Sequence, residues 1–233
     1  MNKILILLFF ALSIPAFGQT GNDAYAKGDF ASAAKIWEEE LAAKGANASL
    51  LYNLGNARYR LGEYGPAIYA YERALILAPR SPDIKANLDL ARKAAAAFDE
   101  SSQSNRLLSF LYWMSYNEWL TFGITALIAL AMISLLRAFD LTRRSPVSLR
   151  GFVVALSILL IISVAVVIVR HPELNRAIVV GKQAEVRLSP FPTAEVKTTL
   201  KSGQSVQIEK EHEGYYRINN GWVSKELVKP LMY

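Results

Sequence analysis

The chain has 233 residues, 52% of them hydrophobic, and a formal net charge of +6. The basic excess falls mainly at residues 106–150, five bases against two acids, and no basic stripe with interleaved aromatics appears, which argues against nucleic-acid binding. The absence of cysteine excludes disulfides, thiol catalysis, a cysteine-ligated zinc and a lipid-modified N-terminal cysteine.

The chain opens with "MNKILILLFFALSIPAFGQ". Lys3 supplies a positive n-region, Ile4 to Ile14 form an apolar core, and Ala16-Phe17-Gly18 are suited to cleavage before Gln19. Residues 1–18 are therefore expected to be a secretory signal peptide. An uncleaved anchor is the alternative, but the core falls well short of the roughly 20 residues that span a bilayer.

Residues 19–98 carry a repeat. "ASLLYNLGNARYRLGEYGPAIYAYERALILAPRS", residues 48–81, reads as two helices. Leu54, Ala57 and Leu61 form an apolar face on the first, and Gly55 allows a close neighbour. Gly62 ends the first helix. Tyr64, Ala67, Tyr71, Ala74 and Leu75 mark the second, and Pro79 stops it. Shifted back by 34 residues, Gly21, Gly28, Phe30, Ala33, Trp37 and Leu41 fall on Gly55, Gly62, Tyr64, Ala67, Tyr71 and Leu75. Shifted forward, Asn87 and Leu88 fall on Asn53 and Leu54, starting a third copy that has a leading helix and no clear second one, suited to capping the stack. This period and these residues resemble tetratricopeptide repeats. The resemblance implies a groove lined by the leading helices, faced by Tyr52, Asn56, Tyr59 and Arg60. Packing between repeats is the other role open to Tyr52 and Tyr59. Asn22, Asn53 and Asn56 fit the clamp with which some members hold an acidic tail, but Asp83 and Asn87 stand on the capping helix where bases would be needed. Glu38, Glu39 and Glu40 read as a solvated helix face.

Residues 99–118 read as a polar linker followed by an interfacial segment rich in tyrosine and tryptophan. Trp119–Leu136 and Gly151–Val169 are uncharged, and each is long enough to cross a hydrocarbon core of about 30 Å as a helix. A buried helical hairpin is the alternative, disfavoured because neither run has a polar face. The loop between them, 137–150, holds four arginines and one acid, so it is expected to stay cytoplasmic and to leave both flanking parts outside. The signal peptide independently exports the N-terminal part.

After a short linker, 170–176, residues 177–231 change to short β-branched and aromatic runs broken by Gly, Pro and Asn, read as five or six strands of a small barrel. "NNG" at 219–221 signals a hairpin turn. The succession "VRLSPFPT", "LKSGQSVQI", "GYYRINNGWVSKELV" resembles bacterial SH3-like domains from Arg176 to Leu231. Tyr215 and Trp222 are candidates for a ligand surface, with core packing the alternative for Trp222.

No catalytic constellation emerges. His171 and His212 have no metal-ligand spacing to other donors, and no nucleophile elbow, Walker A or dinucleotide fingerprint appears. The expectation is a non-enzyme with no catalytic residue, cofactor or metal. Signal peptide, all-α tetratricopeptide stack, two transmembrane helices around an arginine-rich loop and an all-β SH3-like module, in that order, resemble the BatE-type proteins of bacterial aerotolerance (Bat) operons. The resemblance implies a two-pass inner-membrane protein with both soluble domains periplasmic. Its implied partners are von Willebrand A-type Bat proteins and a MoxR-type ATPase, and its implied role is a scaffold in aerotolerance or envelope stress. A wall-binding or wall-sensing protein acting on peptidoglycan through the SH3-like domain is the alternative. An export chaperone with promiscuous groove binding is a third reading.

Overall fold

The computed structural model describes residues 20–97, 111–139, 147–170, 175–219 and 221–231. The expected signal peptide, the polar part of the first linker, residues 140–146 of the arginine-rich loop and most of the second linker lie outside the described residues, as does His171.

Among the described residues, five helices form the N-terminal part: α1 (Gly21–Ala26), α2 (Phe30–Lys44), α3 (Ala48–Arg60), α4 (Tyr64–Leu77) and α5 (Pro82–Ala95). Four begin at side-chain caps: Thr20 accepts from the Asp23 N–H, Asp29 from Ser32, Asn47 from Leu50 and Ser81 from Ile84. Each satisfies a backbone donor the helix leaves unpaired. Between α1 and α2, and between α3 and α4, the chain turns through Gly28 (φ 82°) and Gly62 (φ 75°), residues 34 apart in a left-handed conformation. That turn carries Leu61 out of the apolar face expected for it, leaving it 39% exposed. Trp37 and Tyr71, also 34 apart, wedge against the preceding helix. A Cβ on Gly21 would lie 2.3 Å from Trp37 Nε1, and one on Gly55 would lie 2.5 Å from the Tyr71 ring. The same spacing repeats an ion pair, Glu38–Arg58 and Glu72–Arg92.

Two long helices follow, α6 (Tyr116–Ala138) and α7 (Val147–Arg170), packed together. Both are long and apolar enough to cross a membrane. Gly123 sits against Ser163, where an added Cβ would lie 3.2 Å from the serine Cβ. Arg170 closes one end of the pair. Its guanidinium donates to the carbonyls of Leu111 (3.3 Å) and Met114 (2.9 Å) and lies 5.0 Å from the Tyr112 ring centre.

The C-terminal part is antiparallel sheet throughout. Strands β1 (Arg176–Val179), β4 (Ser205–Gln207) and β8 (Val228–Pro230) form one sheet in the order β4-β1-β8. The second has the order β3-β2-β7-β6-β5, from β2 (Gln183–Arg187), β3 (Val196–Lys201), β5 (Lys210–His212), β6 (Tyr215–Ile218) and β7 (Gly221–Ser224). Ile218 of β6 stands opposite Gly221, the first residue of β7. Among the described residues there are eight strands where five or six were expected. Two of the apolar runs break as the chain passes from one sheet to the other, separating β4 from β5 and β7 from β8. Ala177, Val179, Ala184, Val186, Tyr216, Ile218, Val223 and Val228 fill the space between the sheets.

The sheet part packs directly onto the helical stack. Ile178 and Leu231 belong to the same buried cluster as Ile68, Ile84, Leu88, Ala91 and Ala97. Gly65 brings α4 so close that a Cβ there would lie 2.3 Å from Ser202 Oγ and 2.7 Å from the Val179 carbonyl oxygen. Glu72 is 5% exposed and receives both Arg92 of α5 and, at 3.4 Å, Arg176 of β1. Its repeat equivalent Glu38 pairs only at the surface, its side chain 48% exposed. The third repeat, which has a leading helix and no described second one, is thus completed by β-structure from the far end of the chain.

Candidate functional site

On the concave side of the stack, Tyr25 (α1), Asn56, Tyr59 and Arg60 (α3), Tyr71 (α4), and Asn87 and Leu90 (α5) line an open cavity of about 120 Å³. Three consecutive leading helices contribute, as the repeat geometry requires: positions one helical turn apart on each face the same groove.

The polar floor is a closed network. The Tyr71 hydroxyl donates to Asn56 Oδ1 at 2.7 Å. Asn87 Nδ2 donates to the same oxygen at 2.8 Å and to the Tyr52 hydroxyl at 3.1 Å. Burial, reinforced by neighbouring Tyr52, pushes the Tyr71 phenol well above its ordinary range, so it remains a neutral donor. With Asn56 Oδ1 receiving two donors, the Asn56 amide is oriented by its neighbours. Arg60 is exposed, its guanidinium stacked 4.4 Å from the centre of the Phe30 ring, and Tyr59 packs against Tyr64 with ring centres 5.6 Å apart. Leu90 is 51% exposed, an apolar side chain at the groove wall with no cover. The groove therefore offers oriented amides, aromatic faces, one apolar contact and one cation, a surface suited to a polypeptide segment.

Of the four residues named from sequence, Asn56, Tyr59 and Arg60 line this cavity. Tyr52 does not; its hydroxyl is taken by Asn87 and its ring lies 6.1 Å from that of Tyr71, so it holds the floor in place. Tyr25, Tyr71 and Leu90 were missed as groove residues. Tyr25 lies on a helix of only six residues, and Leu90 stands off the face of α5 that Ile84, Leu88 and Ala91 bury. Asn87, read from the sequence as the repeat equivalent of Asn53 and as standing where a base would be needed, cross-links α5 to α3 through Asn56 and Tyr52.

In the sheet part, Trp222 lies outside the core. Along β7 only Val223 is buried, and Trp222, one residue earlier, points to the opposite face. There it meets the His212 ring at 5.9 Å and the Arg217 guanidinium at 5.8 Å. Tyr215 shares that face, since the pairs Arg217–Trp222, Tyr215–Ser224 and His212–Tyr215 stand directly opposite one another. Among the described residues, no group of three His, Cys, Asp or Glu side chains is placed to hold a metal.

Residues 19–82 match the family model for the tetratricopeptide repeat. No curated protein was found to match the chain. The match covers the groove-forming helices α1 to α4 and stops at the first residues of α5. Tetratricopeptide repeats make up a protein–protein interaction module, so the N-terminal stack is such a module.

Proposed function

We propose that the chain is a membrane-anchored, extracytoplasmic scaffold whose repeat groove docks a segment of an envelope protein. The observation that carries this reading is the groove itself, a family-matched stack with its polar floor pre-organised by Tyr71, Asn56 and Asn87. Pre-organisation lowers the entropy lost on binding. The apolar helices α6 and α7 supply the anchor. Buried residues make up 17% and 11% of their most apolar windows, too little for a hairpin enclosed in a soluble core. In this reading residues 1–18 direct export, the arginine-rich loop stays cytoplasmic, and the sheet part is an SH3-like barrel on the same side as the stack. The seam between stack and sheet supports that topology, because its two halves precede the first span and follow the second. The order of parts supports a BatE-like role beside von Willebrand A-type Bat proteins and a MoxR-type ATPase of the inner membrane.

A photo-crosslinking amino acid at Tyr59 of the full-length protein tests the docking role. One or two discrete envelope-protein adducts are expected, reduced about tenfold or more by Asn56→Ala with Arg60→Ala, as expected when central contacts are removed. Adducts that survive the double substitution, or a smear of many proteins, would count against specific docking; the smear would favour an export chaperone.

The outward face bearing Tyr215 and Trp222 favours one second reading, attachment to the cell wall. Under the docking reading, Trp222→Ala leaves adduct formation at position 59 unchanged. It also costs less than about 1 kcal/mol of stability, since the ring lies outside the core. Pelleting of the full-length protein with purified wall sacculi, lost in Trp222→Ala, would transfer the function to the sheet.

A further inference from the structure

The outer face of α4 carries a second surface, away from the groove. Tyr69, Arg73 and Leu77 are spaced four residues apart, so they form one stripe down the helix. The Arg73 guanidinium lies 5.5 Å from the centre of the Tyr69 ring. Lys229, from β8, brings its ammonium to 5.8 Å from the same ring. Two cations from opposite ends of the chain thus converge on one aromatic side chain, and neither has an acidic partner among the described residues. Leu77, at the lower end of the stripe, is 41% exposed.

The stripe leads to the lead-in of the first apolar helix. Arg80, just beyond α4, donates to Glu118 at 2.7 Å and lies 5.1 Å from the centre of the Trp113 ring. Trp113 is 57% exposed beside the start of α6, where an amphipathic ring belongs at the headgroup level. Arg80 is therefore held at the membrane boundary with its charge already answered by Glu118. Arg73 lies one helical turn above Leu77, a rise of roughly 6 Å, which compares with a headgroup layer of about 5–8 Å on each side of the hydrocarbon.

We infer that this stripe, with Lys229, docks on the bilayer through anionic phospholipid headgroups. Arg73 and Lys229 supply the unanswered positive charge, Tyr69 and Leu77 supply the amphipathic and apolar contacts, and Arg80 on Trp113 makes the surface continuous with the anchor. Docked this way, the C-terminal end of α4 is held at the headgroups, and the groove keeps a fixed position relative to the bilayer. The inference rests on the reading of α6 and α7 as spans.

The chain lacks cysteine, so a single fluorophore can be placed without competing thiols. A label at Leu77→Cys in the full-length protein, reconstituted in nanodiscs with nitroxide-labelled lipid, reports contact with the bilayer. Quenching is expected in discs containing phosphatidylglycerol and to be largely absent in all-phosphatidylcholine discs. The bound population should differ about tenfold or more, the scale two cations supply near an anionic surface. Arg73→Glu with Lys229→Glu should abolish the difference. Equal quenching in both lipids, or none in either, overturns the inference; the second result would leave the stripe open to a soluble acidic partner. A label at Leu127→Cys, on α6, separates this failure from that of the anchor: it is quenched in every disc if α6 spans, whatever position 77 does.

Discussion

Gly55→Val is expected to break the stack open between α3 and α4. The Tyr71 ring fills the space where a side chain at 55 would go, with ring atoms at 2.5, 2.6 and 3.0 Å from an added Cβ. Tyr71 cannot swing away cheaply, because it is 1% exposed and its hydroxyl is committed to Asn56. Overpacking of this kind costs about 3 kcal/mol, and the β-branch adds a small helix penalty. Hydrogen exchange on the full-length protein should show lost protection in α3 and α4 while α6 and α7 stay protected. Tyr71→Leu in the same chain should restore part of the loss by vacating the space. Unchanged protection in Gly55→Val would mean that the close approach of the two helices is not what holds the groove.

Glu72→Ala should have an effect of similar size at the seam. The carboxylate is 5% exposed and is shared by Arg92 and Arg176, so its removal takes from both guanidiniums the buried acceptor that draws them together. Removing one member of a buried ion pair costs about 3–5 kcal/mol, most of it from the uncompensated charge left behind. The arginine side chains are 21% and 28% exposed and can partly reach water, so the lower end of that range applies. Arg176→Ala should cost less, since Glu72 keeps Arg92. The discriminating readout is proteolysis between stack and sheet: Glu72→Ala should release a protected C-terminal fragment far faster than wild type. Equal rates would show that apolar contacts around Ile68, Ile178 and Leu231 carry the seam alone. The surface equivalent Glu38→Ala should be nearly silent, because exposed ion pairs contribute little.

The stack was legible in the sequence because its rules are local. Gly55 and Tyr71 lie sixteen residues apart and recur as Gly21 and Trp37, so a helix contact shows as a repeat. The antiparallel return from Ile218 to Gly221, signalled by the run at 219–221, was legible for the same reason. The seam was not legible. Gly65 and Glu72 occupy positions that repeat arithmetic assigns to a helix surface, and Arg176 is 104 residues from Glu72. No periodicity connects them, so the sequence marks out stack and sheet without showing that they pack together. The groove was half legible: Asn56, Tyr59 and Arg60 follow from the leading helix, whereas Tyr25 and Leu90 depend on how neighbouring helices close around it. Trp222 was open between core and surface because a single aromatic on a strand reads either way until the pleat is set by Val223.

If α6 and α7 span a membrane, stack and sheet must share one side of it, since a seam cannot form across a bilayer. The most direct measurement places single cysteines at Lys35 in the stack, Ser145 in the arginine-rich loop and Glu226 in the sheet of this cysteine-free chain, and exposes spheroplasts to a membrane-impermeant maleimide. Lys35→Cys and Glu226→Cys should label in intact spheroplasts, and Ser145→Cys only after permeabilisation. Labelling of positions 35 and 226 from opposite sides would contradict the seam, the two-span anchor and the outward-facing groove together.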